Sequence, residues 1–419
     1  KIIMLGGFVM KRIITLLVLG IFLFTGCGGK KEGQSSGGKK LLTFMIWDKN
    51  QEPGMSAIAK AFNEKNPDVE VKIQVTGWDE YWTKLEAAAT GGSLPDIFWM
   101  HSTRFYDYAS NNMLLDITDT IKDDNKNFPT DLVKLYEFDN KNYAVAKDFD
   151  TIGIFYNKSL FDKAGVSYPD GTWDWNKFLE VSKELTKDGI YGFAAPMDAQ
   201  QGYWNAIYQN GGNVINDKKS GYNLKESQEG LEWWLNLSLK EKVSPKQEQF
   251  AETDAYSMFM SGKVAMVSLG SWMVPGIEQN KDFAKNVGVT YLPKGKVQAS
   301  IYNGLGYSAS AKTKYPEEAK AFLKFCASQE ANLLQAKYAS AIPAYNGTQQ
   351  GWVDHNKDMN LQVFVDQLKY GVVFPNSKTA PQWRAYENEI FAPLFAGQTD
   401  VKTATEAYAK KMNDILATE

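Results

Sequence analysis

The sequence predicts an α/β protein with two lobes, because strand and helix patterns alternate along a chain too long for one core. Single hydrophobic cores stop growing near about 250 to 300 residues, and this chain has 419. A strand-like apolar run at 41–47 is followed by helical spacing over 55–62 and by strict apolar alternation over 69–75. Such alternation predicts β–α–β units, and hence a mainly parallel sheet flanked by helices in each lobe.

The same order of elements continues along the chain. Helical spacing over 78–89 leads to a predicted short strand at 96–99, and a further strand is predicted at 153–156. Predicted helices follow at 175–185 and 231–238. The second lobe is therefore expected to repeat the style of the first.

The first 40 residues have the order of a secretory signal and a tether. Lys11 and Arg12 precede a short apolar run at 13–24, which is too short to span a bilayer, for which about 20 residues are needed. We expect residues 1–26 to be a signal peptide, with translation beginning at Met10. The segment 24–27, FTGC, resembles the bacterial lipoprotein signal, which implies that Cys27 is lipidated and becomes the new N-terminus. Residues 28–40, which follow Cys27, are all polar or glycine, as is typical of a flexible tether, so we expect 27–40 to be a lipidated cysteine and its tether.

Composition argues against several classes of partner. A net charge of −3 argues against a nucleic-acid partner, which would require a basic stripe along one face of the protein. The chain has only two His, and Cys326 lies at the apolar spacing of a helix, as a buried structural thiol would. We therefore expect no metal site and no cofactor.

Aromatic residues are abundant, at 13% of the chain, and three tryptophans follow predicted strands. Trp47, Trp99 and Trp272 stand at the carboxyl ends of such strands, where open α/β sheets bind their ligands. Flat rings suit the apolar face of a sugar, so these three positions indicate a carbohydrate site.

Six short motifs keep a fixed order along the chain: DIFWMH at 96–101, FYNK at 155–158, FMSGK at 259–263, GSW at 270–272, GLGYS at 304–308 and PQWR at 381–384. Together they resemble the extracellular solute-binding protein family 1 of ABC sugar importers, which includes maltodextrin-binding and multiple-sugar-binding lipoproteins. The resemblance covers nearly the whole chain after residue 40.

The resemblance implies the type II fold of periplasmic binding proteins, with two lobes joined by a hinge and the ligand between them. It implies an N-terminal lobe of 41–149 and 304–330 and a C-terminal lobe of 150–303 and 331–419. We expect a monomer, held by its lipid on the outer face of the cytoplasmic membrane, that docks on the transmembrane subunits of an ABC permease.

The expected sugar-binding residues combine strand ends, nearby carboxylates and the family's motifs: Trp47, Asp48, Glu52, Trp99, His101, Arg104, Asp150, Trp272, Tyr307, Trp383 and Arg384. Alternatives remain for several of them. Asp48 and Glu52 are equally explained as solvated loop carboxylates, the two arginines as surface ion pairs, and His101 as a structural residue.

The predicted function is capture of an oligosaccharide by hinge closure, without catalysis. One alternative keeps the fold but binds another solute, such as glycerol phosphate. A second alternative is a secreted glycosidase, which would need two carboxylates at a defined separation. No local motif in the sequence nominates such a pair.

Overall fold

The computed structural model describes residues 38–216 and 218–419. The expected signal peptide, the expected lipidation site at Cys27 and the tether up to residue 37 lie outside the described residues. Within the described part, no helix is both long enough and apolar enough to cross a bilayer.

Strands and helices alternate over the first half of the described chain, and helices dominate its end. The strands are β1 Lys40–Ile46, β2 Val69–Val75, β3 Ile97–His101, β4 Glu137–Phe138, β5 Lys141–Asn142, β6 Ala144–Ala146, β7 Asp148–Phe149, β8 Ile152–Asn157, β9 Tyr191–Ala194, β10 Ile215–Asn216, β11 Lys219–Ser220, β12 Val264–Gly270, β13 Val287–Thr290, β14 Ser300–Tyr302, β15 Leu305–Ala309, β16 Ile342–Pro343 and β17 Gly371–Val373. The helices are α1 Glu52–Lys65, α2 Trp78–Gly91, α3 Ser102–Ser110, α4 Thr118–Ile121, α5 Thr130–Lys134, α6 Lys158–Ala164, α7 Trp175–Leu185, α8 Trp204–Gln209, α9 Lys225–Leu239, α10 Gln247–Glu252, α11 Ala255–Met260, α12 Val274–Gln279, α13 Lys281–Ala284, α14 Pro316–Cys326, α15 Gln329–Lys337, α16 Gln350–Asp354, α17 Gln362–Asp366, α18 Ala380–Arg384, α19 Glu387–Phe395 and α20 Val401–Leu416. Short 3-10 turns lie at Lys49–Gln51, Asn125–Asn127, Ser271–Met273, Lys357–Met359 and Gln367–Tyr370, and a π-helical turn lies at Ala199–Tyr203.

Two sheets form the centres of the two lobes. The first has the strand order β2-β1-β3-β15-β6, and the second has the order β13-β8-β12-β9. Helices cover the first sheet with apolar faces; Phe322 of α14, for example, packs edge-on against Phe44 of β1, with ring centroids 5.7 Å apart. In the second lobe Phe178 of α7 packs in the same way on Phe193 of β9, at 4.9 Å. The two-lobed α/β fold is confirmed.

The sheets are mixed but mainly parallel, as expected: in each sheet all strands but one run in the same direction. Strands β1, β2 and β3 run parallel, but β15 runs antiparallel to both β3 and β6. In the second sheet β8 is antiparallel to β12 and to β13. Both β8 and β15 enter their sheets directly from the other lobe, without a crossover helix, so nothing forces them to run parallel to their neighbours.

The two lobes are connected by paired extended segments. The chain passes from β7 to β8 and returns from β14 to β15. Where the passages meet, the backbone N–H of Asp150 donates to the carbonyl of Asn303 at 2.9 Å, and Asn303 donates back at 3.3 Å. A later passage runs from β16, which pairs with β7, to β17, which pairs with β14. These crossings place Asp150 at the boundary between the lobes.

Helix α15 packs on the first lobe, beyond the expected limit of that lobe at residue 330. Gln335 in α15 donates through Nε2 to the backbone carbonyl of Lys147 at 3.1 Å, and its Oε1 lies 3.2 Å from the Tyr307 hydroxyl. Because Tyr307 belongs to the first sheet, the chain around residue 335 is tied to that sheet. The expected division at residue 330 does not coincide with this packing.

Candidate functional site

A cleft of about 410 Å³ lies between the lobes and is called the central chamber here. Both lobes and the crossing segments contribute to its walls. Its lining residues are Trp47, Asp48, Gln51, Trp78, His101, Asp148, Phe149, Asp150, Gln200, Ser271, Trp272, Leu305 and Ala341. Five of the residues predicted from sequence, Trp47, Asp48, His101, Asp150 and Trp272, are brought together here.

The first wall is an aromatic cluster centred on Trp47, which directly follows β1. Its ring centroid lies 5.1 Å from that of Trp78, 5.0 Å from Tyr81 and 5.1 Å from Trp99, with the planes nearly perpendicular in each pair. Edge-to-face packing of this kind adds about 0.5–1.5 kcal/mol per pair beyond the area buried. The cluster therefore holds Trp47 in a fixed orientation at the chamber.

Trp99 belongs to this cluster but does not reach the chamber. The predicted strand ended at Trp99, whereas β3 continues to His101, so Trp99 is an interior strand residue paired with Tyr307. Its side chain is fully buried, with 0% exposed. The expectation that Trp99 contacts ligand is corrected: its ring supports Trp47 from behind, and His101 occupies the strand end.

The opposite wall carries Trp272, which follows β12 in the second lobe. The half-buried indole lies close against Gly270, where a Cβ atom would overlap its six-membered ring. Gly270 is itself held, because its backbone N–H donates to Gln201 Oε1 at 3.0 Å. The absence of a side chain at Gly270 thus lets the Trp272 ring lie at the chamber.

A buried lysine lies behind the floor of the chamber. Lys147 is 1% exposed; its Nζ donates to Gln51 Oε1 at 2.7 Å and pairs with the carboxylate of Asp148. Asp148 Oδ1 also accepts the backbone N–H of Leu305 at 2.8 Å. Gln51 in turn donates through Nε2 to Asp48 Oδ2 at 3.0 Å. This network fixes the orientation of Asp48, whose Oδ1 also caps the Lys49–Gln51 turn through the N–H of Asn50.

Asp150 lies where two of the crossing segments pair. Its Oδ1 accepts from Gln200 Nε2 at 3.1 Å. Burial raises the pKa of the Asp150 carboxyl well above its usual range, and the negative charge of Asp148 raises it further. A carboxyl with a raised pKa is able to donate a hydrogen bond as well as accept one, which suits a hydroxyl-bearing ligand.

His101 has a structural role besides its place on the wall. Its Nδ1 accepts the backbone N–H of Thr103 at 3.2 Å and so caps helix α3, while Nε2 lies 3.2 Å from Asn303 Nδ2 in the hinge. Burial lowers the pKa of His101 to about 3, with Arg384 and Arg104 adding to the effect. The ring is therefore neutral at physiological pH.

Besides Trp99, five predicted residues do not line the central chamber, and two of these lie at the lobe surface. Glu52 begins α1 and pairs with Lys49 on the outer surface. Arg104 pairs with Glu86 at 3.2 Å, and 40% of its side chain is exposed. Arg104 thus forms the surface ion pair that the sequence left open as its alternative. For Glu52 the alternative was a solvated loop carboxylate, and the structure instead places it at the start of α1, paired with a lysine.

Tyr307 and Trp383 are buried inside their lobes. Tyr307 lies opposite Trp99 in the first sheet, and its hydroxyl lies 3.2 Å from Gln335 Oε1. Trp383 is 0% exposed and donates through Nε1 to Ser377 Oγ at 3.0 Å. The expectation of direct sugar contact is corrected for both, because core packing encloses both rings.

Arg384, next to Trp383, lies in a second hollow that adjoins the central chamber. Its Nε is 3.5 Å from Oε1 of Glu387. Burial raises the pKa of the Glu387 carboxyl, and the Arg384 guanidinium opposes that rise. Arg384 is thus near the cleft but outside the central chamber.

Sequence reasoning missed several lining residues, of which Trp78 is the largest. Trp78 was assigned to a helix by its spacing, but it is the first residue of α2 and is 47% exposed. Its place directly after Gly77 at the helix start was the available signal. No local sequence pattern marks Gln200 or Asp148, because long-range packing brings each of them to the chamber. The described residues contain no group of three or more His, Cys, Asp or Glu side chains able to hold a metal ion.

Comparison with known families matches residues 48–333 to the family described as bacterial extracellular solute-binding protein. This match covers more than half of the chain and includes Trp78 and Trp272, one from each wall of the chamber. The chain belongs to this family. Helix α15, which begins at Gln329, lies at the end of the matched region.

Relatives and solved structures resemble this solute-binding protein along nearly its whole length. It is 24% identical over 400 residues to the maltodextrin-binding protein MdxE of Bacillus subtilis, covering 91% of each chain. The ABC substrate-binding protein Lmo0181 from Listeria monocytogenes, in complex with cycloalternan, has a TM-score of 0.82 and 24% identity, covering 90% of this chain and 99% of that one. UgpB from Mycobacterium tuberculosis, in complex with glycerophosphocholine, has a TM-score of 0.74 and 19% identity, covering 91% and 99%. At these identities the solved structures show that the fold is shared.

Proposed function

We propose that this protein is the substrate-binding component of an ABC importer and that it captures a neutral oligosaccharide between its lobes. The observation that carries the proposal is the placement of Trp47 and Trp78 from one lobe and Trp272 from the other around a single chamber. A ligand that contacts both walls binds the closed arrangement better than the open one, and that difference drives hinge closure. The name of the relative MdxE, a maltodextrin-binding protein, supports a sugar ligand.

The three indoles supply enough apolar area for useful affinity. An aromatic side chain buries about 150–250 Å² when fully covered. At about 25 cal/mol per Å², a half-covered ring contributes roughly 2–3 kcal/mol. Three rings therefore approach the roughly 8 kcal/mol of a micromolar complex, before the cost of association is subtracted.

The charges of the central chamber favour a neutral ligand over a phosphate. Among the described lining residues, the acidic side chains are Asp48, Asp148 and Asp150 and none is a lysine or arginine, while Lys147 is buried behind them and already paired. A phosphate needs convergent cations or backbone donors. The neighbour bound to glycerophosphocholine shows that this fold also holds a phosphodiester, so such solutes belong in the test.

We further propose that the protein acts without catalysis, as a monomer anchored by a lipid on Cys27 at the outer face of the cytoplasmic membrane. The FTGC motif at 24–27 and the polar stretch after it support the anchor. Metabolic labelling with a radioactive fatty acid tests it: the wild-type protein should be labelled, and Cys27→Ser should not. Equal labelling of both proteins would contradict the proposal that Cys27 carries the lipid.

The test of the ligand class is a titration of intrinsic tryptophan fluorescence with mono- and oligosaccharides and with glycerol phosphate. We expect a saturable change with oligosaccharides, lost in Trp272→Ala and kept in Trp233→Phe. Trp233 is a matched control because it stacks on Trp175, 4.0 Å away, and lines no part of the central chamber. A saturable fluorescence change with glycerol phosphate and with none of the saccharides would show that the ligand is a phosphate ester and not a neutral sugar. Appearance of shorter saccharides during incubation would favour the glycosidase alternative.

A further inference from the structure

The π-helical turn Ala199–Tyr203 lies between the hinge and the second wall of the central chamber. Turns of this kind are rare and occur frequently at functional sites. Here the backbone of Gly202 departs from helical geometry, with φ −127° and ψ −112°, and a Cβ atom on it would lie 2.8 Å from Cζ2 of Trp234. The turn therefore depends on the glycine, and the side chains of the consecutive residues Gln200 and Gln201 bind different partners.

One side of the turn is fixed to the segments that cross between the lobes. Gln200 Nε2 donates to Asp150 Oδ1 at 3.1 Å, in the first crossing segment. Asn205 Nδ2 donates to the backbone carbonyl of Gln200 at 2.7 Å. Asn205 Oδ1 accepts the backbone N–H of Ile301 at 2.8 Å, in strand β14 of the returning segment. The position of the turn is thus set by both crossing segments.

The other side of the turn holds the wall that carries Trp272. The backbone N–H and the Nε2 of Gln201 donate to the two carboxylate oxygens of Asp198, at 2.8 and 3.0 Å, so the side-chain amide is fixed in one orientation. In that orientation Gln201 Oε1 accepts the backbone N–H of Gly270 at 3.0 Å. Since the Trp272 ring lies against Gly270, the amide of Gln201 sets where the indole lies.

We propose that Gln201 is a positioning residue for sugar binding, which holds the Trp272 ring in its binding orientation through Gly270 before any ligand arrives. The inference rests on the proposed function and goes beyond it, since Gln201 is not among the described residues that line the central chamber. A ring that is fixed in advance loses less conformational freedom on binding. Part of the affinity for sugar therefore depends on a hydrogen bond that the sugar does not touch, made by a turn that also binds Asp150 at the hinge.

The test is a double-mutant cycle measured by isothermal titration calorimetry. The probes are maltotriose, a galacto-oligosaccharide and diacetylchitobiose, and the one that wild type binds most tightly serves for every variant. Gln201→Met, which keeps the length of the side chain and removes its hydrogen bonds, is made in wild type and in Trp272→Ala. Gln228→Met is the matched control, because Gln228 is also half-buried in the second lobe and donates to Thr405 Oγ1 at 3.0 Å, away from the chamber.

A second pair of variants tests the same role without removing the side chain's polar atoms. Gln201→Glu keeps an oxygen for the N–H of Gly270 but places a second carboxylate against Asp198, so it should bind sugar more weakly than wild type. Adding Asp198→Asn exchanges donor and acceptor between the two side chains and restores their hydrogen bond. The double variant should therefore regain most of the wild-type affinity, with thermal melts as the check that each variant is folded.

We expect Gln201→Met to weaken binding by roughly three- to ten-fold in wild type, the effect of one hydrogen bond. It should have no further effect in Trp272→Ala, because a residue that acts only through the ring loses its effect when the ring is absent. Gln228→Met should match wild type.

Three results would overturn the positioning role: wild-type affinity in Gln201→Met, an equal loss from Gln201→Met in both backgrounds, or no gain in affinity when Asp198→Asn is added to Gln201→Glu. Absence of binding of wild type to any of the saccharides would instead overturn the proposed function itself.

Discussion

The ammonium of Lys147 lies over the indole of Trp99, 4.4 Å from the ring centroid. The same ammonium pairs with Asp148 and donates to Gln51, so one buried cation connects the aromatic cluster of the first wall to the floor of the chamber. A buried charge is tolerated only when it is paired and hydrogen-bonded. The stability of the first wall should therefore depend on the acid that neutralises Lys147.

Asp148→Asn is expected to destabilise the protein by about 3–5 kcal/mol, because it leaves a buried ammonium without its counter-charge. Urea unfolding followed by circular dichroism measures the change. Asp123→Asn is the control, since Asp123 is an exposed carboxylate, and it should alter stability by no more than about 0.5 kcal/mol. Equal midpoints for the two variants would show that Lys147 does not need Asp148.

Asp150→Asn, in contrast to Asp148→Asn, should stabilise the folded protein at neutral pH. Burial and then the Asp148 charge raise the pKa of Asp150 in the folded protein, so between the unfolded and folded pKa values the folded state binds more protons. Wild-type stability therefore falls as pH rises above 3.8, the ordinary pKa of the group. We expect the variant to melt at a higher temperature than wild type at pH 8 and to lose this advantage near pH 4. A difference independent of pH would contradict the raised pKa.

Gly270→Ala should weaken sugar binding through Trp272. The new methyl group would overlap the indole, so the ring must move from its place at the chamber. Loss of one half-covered ring corresponds to roughly ten- to a hundred-fold in affinity. Gly91→Ala serves as control, because a Cβ there lies at an ordinary 3.6 Å from Ser93 Oγ on an exposed helix end. Isothermal titration calorimetry with the saccharide that wild type binds most tightly measures the affinities of both variants. Unchanged affinity in Gly270→Ala would show that Trp272 does not contact the sugar.

The pair of Glu278 and His355 should make stability depend on pH. His355 Nε2 lies 3.0 Å from Glu278 Oε1. Burial opposes the charged forms, but the partners outweigh it, so the pKa of Glu278 is lowered and the pKa of His355 is raised. The histidine contribution is complete below 6.5 and is lost as pH rises through the raised pKa, whereas the glutamate contribution is complete above 4.5 and is lost as pH falls through the lowered one.

Glu278→Gln should therefore cost more stability at pH 5.5 than at pH 9, by an amount on the order of 1 kcal/mol. Thermal melts at the two pH values measure the difference. Glu64→Gln is the matched control, because Glu64 pairs with Lys60 and not with a histidine, at 3.9 Å on the surface. A pH-independent cost in Glu278→Gln would mean that His355 does not form the ion pair.

Much of the secondary structure could be predicted from the sequence alone. The helix predicted at 175–185 is Trp175–Leu185, and the strand predicted at 41–47 is Lys40–Ile46. These elements follow from apolar spacing within a few residues, which local backbone geometry sets directly. The predicted strand ends also located Trp47 and Trp272 at the chamber.

Only the tertiary structure decided which side chains face the chamber. Strand β3 ends at His101, two residues beyond the predicted end, and this difference buries Trp99 and brings His101 to the cleft. Which side chain of a strand reaches the cleft depends on the residue at which strand pairing stops. For β3 that residue is set by pairing with β15, which lies about 200 positions later in the chain and so cannot be predicted from local sequence. Lys147 and Gln200 likewise gain their contacts only through tertiary folding, because Lys147 meets Gln51 and Gln200 meets Asp150 across long stretches of the chain. The sequence thus determined the elements, the family and two of the chamber's tryptophans, whereas long-range packing determined the remaining contacts.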